Sequence, residues 1–499
     1  MFAKKEKVAQ QEFWIPTQEL PKSPKSTFYS RLQETLDSLG FEAQVRSICA
    51  PFYKQSGTGR PGIDPAVYVK MIMVGFFEDL PSERSIAARC ADSIAIRAFL
   101  KYDLDEGTPD HSSFTVIRQR LGLEVYQQIF QFTLGALQKH GLLRGKNIGI
   151  DSSVIEANAS LRALVNRNTE EAYWDYVKRL AAEAGIDPED TAAVRKFDRK
   201  RPGKGSNEHW VNPHDPDAKI APKKDGATDM IYKPEVVVDL DTGAVVQANV
   251  NPGDQADHQD MAAKILEAQQ TMNAACEEPA ETLTIQTATA DKGYYAVPEL
   301  QVLQAEGIKT VIADPSSNRR LDKLEVEEQA VVRLAQRAVK SGRGKKLLAR
   351  RGMHIERSFA HLLDSGGMRR TSLRGHLNLN KRFKLAAAVY NLSQLMRKLF
   401  GVGTPKQQEA LGAAIFPLVL LLRCSIRVLV QQTSRAKHPP RWRALSAAVV
   451  FAVSYASWNG LFFNRLLGRL VHKACLASVG ENWETGNVGK GMGAEESEL

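Results

Sequence analysis

Three acidic residues stand where metal chemistry could be done. Asp151 follows the apolar run "NIGI", and Asp291 follows "TIQTATA". A carboxylate in an apolar strand is costly to bury unless it is paired or holds a cation. Two of them, on strands able to lie side by side, offer the hard oxygen ligands that magnesium takes. A third ligand is expected on a later element among basic side chains. Glu356 in "RRGMHIERSFAHLL" has that setting, with Ile355 and Phe359 giving its helix an apolar face and Arg350, Arg351 and Arg357 nearby. Bare carboxylates of this kind can hold two divalent ions about 3.5 to 4 Å apart, which activate a water or hydroxyl nucleophile and stabilise the leaving oxygen in phosphoryl transfer. Taken singly, Asp151 and Asp291 read as turn caps, and Glu356 as half of a solvated ion pair. Their joint occurrence favours the catalytic reading.

The elements that must position them can be read from periodicity. "KNIGIDSSVIEANAS" is β-branched and extended, and "KPEVVVDLDTGAVVQANVNPG" gives two strands joined at Asp241-Thr242-Gly243. A helix over "ADHQDMAAKILEAQQTM", strand "TLTIQTATA", helix "VPELQVLQAEG" and strand "IKTVIAD" follow. Three strands and then alternating helix and strand predict a mixed sheet flanked by helices in an α/β domain over 146–400. Two helices meeting near Ser341-Gly342 carry Glu356, and "HLNLNKRFKLAAAVYNLSQLMRKLF" is a further helix. An insertion at about 158–228, whose core "DRKRPGKGSNEHWVNPHDPDAKIAPKKDGA" is rich in Pro, Gly, Lys and Asp, is expected to be partly irregular. Within it Trp210 reads as an anchor to the core more readily than as a base-stacking residue. Asp239 and Asp241 read as structural residues of the hairpin turn, and Asp254, Asp257 and Asp260 as caps of the next helix.

Ahead of the α/β domain, 27–145 reads as all-helical. Amphipathic runs such as "TFYSRLQETLDSLG" and "DPAVYVKMIMVGFFEDL" flank the turn cluster "GTGRPGIDP", and "TPDHSSFTVIRQRL" leads a Pro-Asp turn into a basic helix. Residues 1–26 form a basic tail. The region 401–499 contains "LGAAIFPLVLLL" and "ALSAAVVFAVSYASWNGLFF", the first too short and the second too interrupted by polar residues to span a bilayer, and its end is expected to be disordered.

Composition narrows the function class. The 499 residues are 43% hydrophobic and 25% charged, and the mean hydropathy of -0.31 disfavours a polytopic membrane protein. Lys and Arg number 67 against 57 acids, a formal charge of +10 that favours anionic partners such as nucleic acid. Five scattered cysteines without a C-x-x-C pair suggest neither a disulfide framework nor a structural zinc site, and "GRGKK" lacks the spacing of a phosphate-binding loop. Without a signal-peptide pattern, the expected location is the bacterial cytoplasm in association with the nucleoid, and the sequons at Asn158 and Asn391 read as chance.

The blocks "GIDSSVIEANAS", "YKPEVVVDLDTGAVVQANVNPGDQADHQD", "TADKGYY" and "IERSFAHLLDSGGMRRTSLRG" resemble, in order, those of the DDE transposases of bacterial insertion sequences. "GRPGIDPAVYVKMIMVGFFEDLPSERSIAARC" with "TPDHSSFTVIRQRL" resembles the helical domain that precedes the core in one large group of them. The resemblance covers roughly 55–400. It implies an RNase H-like mixed sheet with flanking helices preceded by an all-helical DNA-binding domain, with Asp151, Asp291 and Glu356 as catalytic metal ligands. It implies magnesium or manganese, two ions, double-stranded DNA of the element ends and the target as partner, and strand transfer by a 3′-hydroxyl in an oligomeric synapse, at least a dimer, with no obligatory membrane. Many relatives carry a Tyr, Arg, Glu, Lys series around the glutamate, whereas here Gly352 stands four before Glu356 and Leu363 seven after. Phosphate contacts are therefore expected from Arg357, Arg369, Arg370 and Arg374, and from Lys292 and Tyr294 beside Asp291. The alternatives are an RNase H-like nuclease without strand transfer and an inactive transposase-derived DNA-binding regulator.

Overall fold

The computed structural model describes residues 23–53, 62–201, 205–223, 226–276, 282–316 and 324–413. The start of the basic tail, most of the 57–65 turn cluster and the apolar segments after residue 413 lie outside the described residues. Seven helices come first: α1 (Pro24–Ser38), α2 (Phe41–Cys49), α3 (Pro65–Phe77), α4 (Glu83–Asp92), α5 (Ile94–Leu100), α6 (His111–Arg120) and α7 (Leu123–Lys139). Their starts follow local chemistry. Asp64 accepts a hydrogen bond from the Ala66 N–H with Pro65 opening α3, and Asp110 accepts from the Ser112 N–H to open α6. Ser93 ends α4 and its side chain caps α5. Nearly every residue of α3 is buried, so it forms the centre of the helical layer and not an amphipathic surface helix.

The remaining elements are, in order, β1 (Asn147–Ser152), β2 (Ile155–Glu156), β3 (Val165–Asn166), α8 (Tyr173–Glu183), α9 (Thr191–Lys200), β4 (Trp210–Val211), β5 (Lys219–Pro222), β6 (Thr228–Asp239), β7 (Val245–Pro252), α10 (Met261–Ala274), β8 (Thr287–Ala290), α11 (Val297–Ala305), β9 (Lys309–Ile312), α12 (Val326–Lys340), α13 (Gly342–Phe359) and α14 (His376–Phe400). The main sheet runs β7-β6-β1-β8-β9. Strands β7, β6 and β1 are antiparallel, and β8 and β9 run parallel to β1. That order and those senses make an RNase H-like mixed sheet. Strand β8, "TATA", is buried along its whole length, as expected of a parallel strand covered on both faces.

The insertion is more regular than its composition suggests. It holds the pair α8 and α9, the small β3–β4 ribbon, and β5, which adds to the near end of β6. Trp210 is 2% exposed and packs on Tyr173 and Tyr176, with ring centroids 4.7 and 5.2 Å away, so it anchors the insertion. Pro234 lies within β6, where a missing N–H would break a ladder. It falls between the stretches of β6 that pair with β1 and with β2, and its carbonyl accepts from the Ser153 N–H at 2.9 Å. The Ser153 donor is thereby matched where the β1–β6 ladder ends.

Residues through Gln408 form one compact unit, and α1–α7 share a single hydrophobic core with the sheet. Helix α14 joins them, packing on α7 and α3 and on β7. It also closes the open edge of β7. The buried Asn391 side chain accepts from the Val245 N–H at 3.0 Å and donates to the Val245 carbonyl at 2.8 Å, and Gln394 donates to the Gly243 carbonyl at 2.8 Å. On the other side of the hairpin, buried Asp239 accepts from the Arg144 and Gly145 N–H groups at 2.7 and 3.1 Å, which is the structural role read for it.

Helix α13 crosses β1 at Gly149. A Cβ there would stand 2.8 Å from Leu240 Cδ2, 3.2 Å from Arg351 Cγ and 3.3 Å from Ile355 Cδ1. Replacing Gly149 by Val should therefore destabilise the fold by about 1–3 kcal/mol through overpacking. Urea unfolding of the variant against the parent chain measures this, and an unchanged midpoint would show that α13 does not need the close approach.

Candidate active site

Asp151 sits near the end of the central strand, opposite Val236 of β6. Its Oδ1 accepts from the Ser152 N–H at 2.9 Å, and its Oδ2 lies 2.7 Å from Arg351 Nη2. Asp291 directly follows β8, the parallel neighbour of β1. It opens the short 3-10 turn Lys292–Tyr294, accepting from the Lys292 N–H at 2.7 Å, and is exposed. Glu356 projects from α13, which packs on β1 and β8, and is also exposed. The three carboxylates come from three separate elements and line one cleft of about 720 Å³. Cations line it too: Lys223, Arg351, Arg369 and Arg370.

Among the described residues, no three His, Cys, Asp or Glu side chains converge closely enough to hold an ion together. Two of the three carboxylates are engaged with protein donors, Asp151 with Arg351 and Asp291 with its own turn. The donor set nonetheless suits a divalent cation in kind: three hard oxygen donors face one solvent-filled cleft. The guanidinium on Asp151 already occupies the position of a positive charge at one of them. Asp151, Asp291 and Glu356 are the residues that would hold such an ion, once drawn closer together than they stand here.

Behind the cleft lies a support that the sequence did not single out. Glu235, 4% exposed, pairs with Lys264 at 3.1 Å and accepts from the Tyr294 hydroxyl at 2.9 Å. Burial raises the Glu235 carboxyl above its ordinary range against the opposing pull of Lys264. Because Ser152 faces Glu235 across the β1–β6 ladder, this network ties the Asp291 turn to the strand that bears Asp151. Asp257 adds a second tie, accepting from Ser152 Oγ at 2.6 Å and lying 2.7 Å from Lys233 Nζ. Burial works against its ionisation, but the hydrogen bonds from Lys233 and Ser152 hold its carboxyl below the ordinary value. Asp257 thus braces β1 instead of capping α10. Asp260 takes the N-cap place of α10, yet its side chain makes no cap hydrogen bond.

The expected DNA contacts separate by position. Tyr294 is a correction: it is 1% exposed and its hydroxyl is spent on Glu235, so it stands in the core and not on a DNA-facing surface. Its phenol is raised above the ordinary range, first by burial and then by the Glu235 carboxylate. Lys292 is exposed beside Asp291. Arg369 and Arg370 reach the cleft because their segment pairs with β2: Glu156 N–H donates to the Arg369 carbonyl and Thr371 N–H to the Glu156 carbonyl, both at 2.9 Å. Arg369 Nε also contacts Asp364 Oδ1 at 2.5 Å. Arg357 and Arg374 are exposed and do not line the cleft; Arg374 Nε donates to the Asn158 carbonyl at 3.3 Å. Lys223, held 2.8 Å from Glu156, is a cleft cation that reading the insertion as a loop had hidden.

Two substitutions measure the network. Lys264→Met leaves the Glu235 carboxylate buried without its charge partner and should cost about 3–5 kcal/mol. Tyr294→Phe removes one hydrogen bond to it and should cost about 1–2 kcal/mol. Equal losses in urea unfolding would show that the network does not depend chiefly on charge compensation.

Comparison with known proteins gives two family matches. The family described as "Transposase domain (DUF772)" matches residues 18–120, and the family "Transposase DDE domain" matches residues 200–392. The second span contains Asp291 and Glu356, while Asp151 lies ahead of it. No curated protein matches. Among solved structures, a chain of the crystal structure of a pre-cleavage Mos1 transpososome is 11% identical, with 74% of this chain and 96% of that one covered. Its TM-score is 0.17, too low for the likeness to bear on fold or function. With a transposase domain matched over the first helices and a DDE domain over most of the sheet and the helices that cover it, the chain belongs to the insertion-sequence DDE transposases.

Proposed function

We propose that the cleft is the catalytic centre of a metal-dependent DNA phosphoryl transfer, in which this transposase binds the terminal inverted repeats of its element, cleaves there and transfers the strand. The observation that carries this reading is the convergence of Asp151, Asp291 and Glu356 on one cleft from β1, the end of β8 and α13. Magnesium or manganese, two ions, supplies charge neutralisation and an activated oxygen nucleophile in such chemistry. The chain's own part is to hold the phosphodiester beside those oxygens.

Cleavage breaks the bond between phosphorus and the 3′ oxygen as water attacks in line, leaving a 3′-hydroxyl and a 5′-phosphate. In transfer, that 3′-hydroxyl attacks a target phosphorus, its proton leaves to solvent, and the target's own 3′ oxygen departs. Both steps place negative charge on phosphate oxygens. Arg369, Arg370 and Lys223 on the cleft wall suit those oxygens, with Lys292 beside Asp291 and Arg357 and Arg374 farther out along the DNA path. The helical layer α1–α7 is the part proposed to bind the element ends, and a synapse of two or more copies would hold both.

Asp151→Asn, Asp291→Asn and Glu356→Gln should each abolish nicking of a supercoiled plasmid carrying the element ends, while mobility shifts with end DNA stay close to the parent's. Cleavage retained in both aspartate variants with unchanged metal dependence would sink the assignment. A parent chain that cuts but never yields joined product is a nuclease, and one that binds without cutting is a regulator. The double variant Arg369→Ala/Arg370→Ala should make DNA affinity less salt-dependent, reducing the log–log slope by up to about 2. An unchanged slope would remove both arginines from the phosphate path.

A further inference from the structure

The sequence marks Arg351 only as a basic neighbour of Glu356. In the structure its guanidinium lies 2.7 Å from Asp151 Oδ2, in a pair whose side chains are 13% and 31% exposed. We infer that Arg351 is a displaceable counter-ion of the cleft, which neutralises Asp151 until a divalent cation takes the same oxygen. This rests on the reading of Asp151 as a metal ligand.

The geometry of the contact supports exchange over permanent structure. Arg351 Nη2 meets Oδ2 as a charge contact without the alignment of a hydrogen bond, so this contact lacks the directional grip that a hydrogen-bonded guanidinium has on a carboxylate. The other anchor of the head group is long, Nε to the Ile150 carbonyl at 3.4 Å. Its stem is fixed, because Arg351 Cγ lies over Gly149 where α13 crosses β1. The head can therefore swing while the helix stays. By contrast, the Glu235–Lys264 pair is closed off by the Tyr294 hydroxyl and lies outside the cleft.

Electrostatics makes the two states exclusive. A divalent cation sits about 2.0–2.6 Å from a carboxylate oxygen, and a guanidinium kept on that same oxygen would place like charges within a few ångströms. Both cannot hold Oδ2. In the cation-free chain the arginine lowers the mutual repulsion of the carboxylates lining the cleft. When a cation is bound, the freed guanidinium still faces the cleft.

The test is Mn²⁺ binding to the full chain, followed by isothermal titration calorimetry and by the free Mn²⁺ signal in electron paramagnetic resonance, with no DNA present. Arg351→Gln and Arg351→Met should bind Mn²⁺ at least about fivefold more tightly than the parent, the low end of an ordinary coupling between competing ligands. Arg351→Lys, which keeps the charge, should stay near the parent. The Met variant retains most of the stem that packs on Gly149, and circular dichroism checks that each variant is folded. If Asp151→Asn loses Mn²⁺ binding while the Gln and Met variants bind no more tightly than the parent, the counter-ion role is overturned and the metal-ligand reading stands. If Asp151→Asn binds Mn²⁺ as the parent does, the metal-ligand reading falls and the counter-ion role with it.

Discussion

The approach of α13 to β1 across Gly149 governs which side chains share the cleft. A helix carrying Glu356 has to lie close enough to the central strand for its side chains to reach the cleft beside Asp151, and a side chain at 149 would meet Leu240, Arg351 and Ile355 at or inside contact distance. With a glycine there, Ile355 descends into the core, and Arg351 and Glu356 on the same helix are delivered to the cleft. The hairpin at the far end of β6 keeps the helix in register. Arg350 pairs with Asp241 at 2.9 Å, and Gly243, with φ of +84°, turns under His354, where a Cβ would come within 2.8 Å of the ring. The Arg350 pair is half-exposed and contributes little by itself. The packing carries the alignment.

Charge is distributed in two tiers around that contact. Glu235, which is buried, is compensated by Lys264 and Tyr294, and the half-buried Asp257 by Lys233 and Ser152, so both supporting carboxylates have their donors. Along the cleft itself, Asp151, Asp291 and Glu356 are partly or fully exposed, with cations lining it beside them. The first tier rigidifies the strand ends from which Asp151 and Asp291 project. Such a division suits the proposed site, which would accept a polyanion and positive charge together, because the fixed tier need not change when the cleft-lining one does.

The insertion and α14 serve the same end by different means. α14 covers the β7 edge with Asn391 and Gln394, amides that replace the hydrogen bonds of an absent strand. The insertion is pinned by Trp210 and by β5, and through Lys223 it contributes a cation to the cleft from a distant part of the chain. The segment 369–371 pairs with β2 and adds two arginines from the opposite direction.

Much of this was legible in the residues. Alternation and β-branched runs marked β1, β6, β7, β8 and β9 and the helices between them, because each strand's burial is written in its own side chains; even the joint near Ser341-Gly342 was visible. The carboxylates after "NIGI" and "TIQTATA" stood out because an acid ending an apolar strand is locally anomalous. Three-dimensional pairing was not legible. The insertion looked irregular because its Pro- and Gly-rich core at 198–227 dominated the reading, whereas α8 and α9, which lead into it, carry neither residue; α8 packs on Trp210 and α9 on α8. Tyr294 looked like a surface residue beside a catalytic acid, yet a turn of one helical step buried it against Glu235, 59 positions away. Arg351 looked like one of several arginines around Glu356, and only the crossing of α13 over β1 chose Asp151 as its partner. The sequence by itself determined which elements form and which acids they carry; the tertiary structure decided which charges meet, because an ion pair depends on distances that only the packed chain defines.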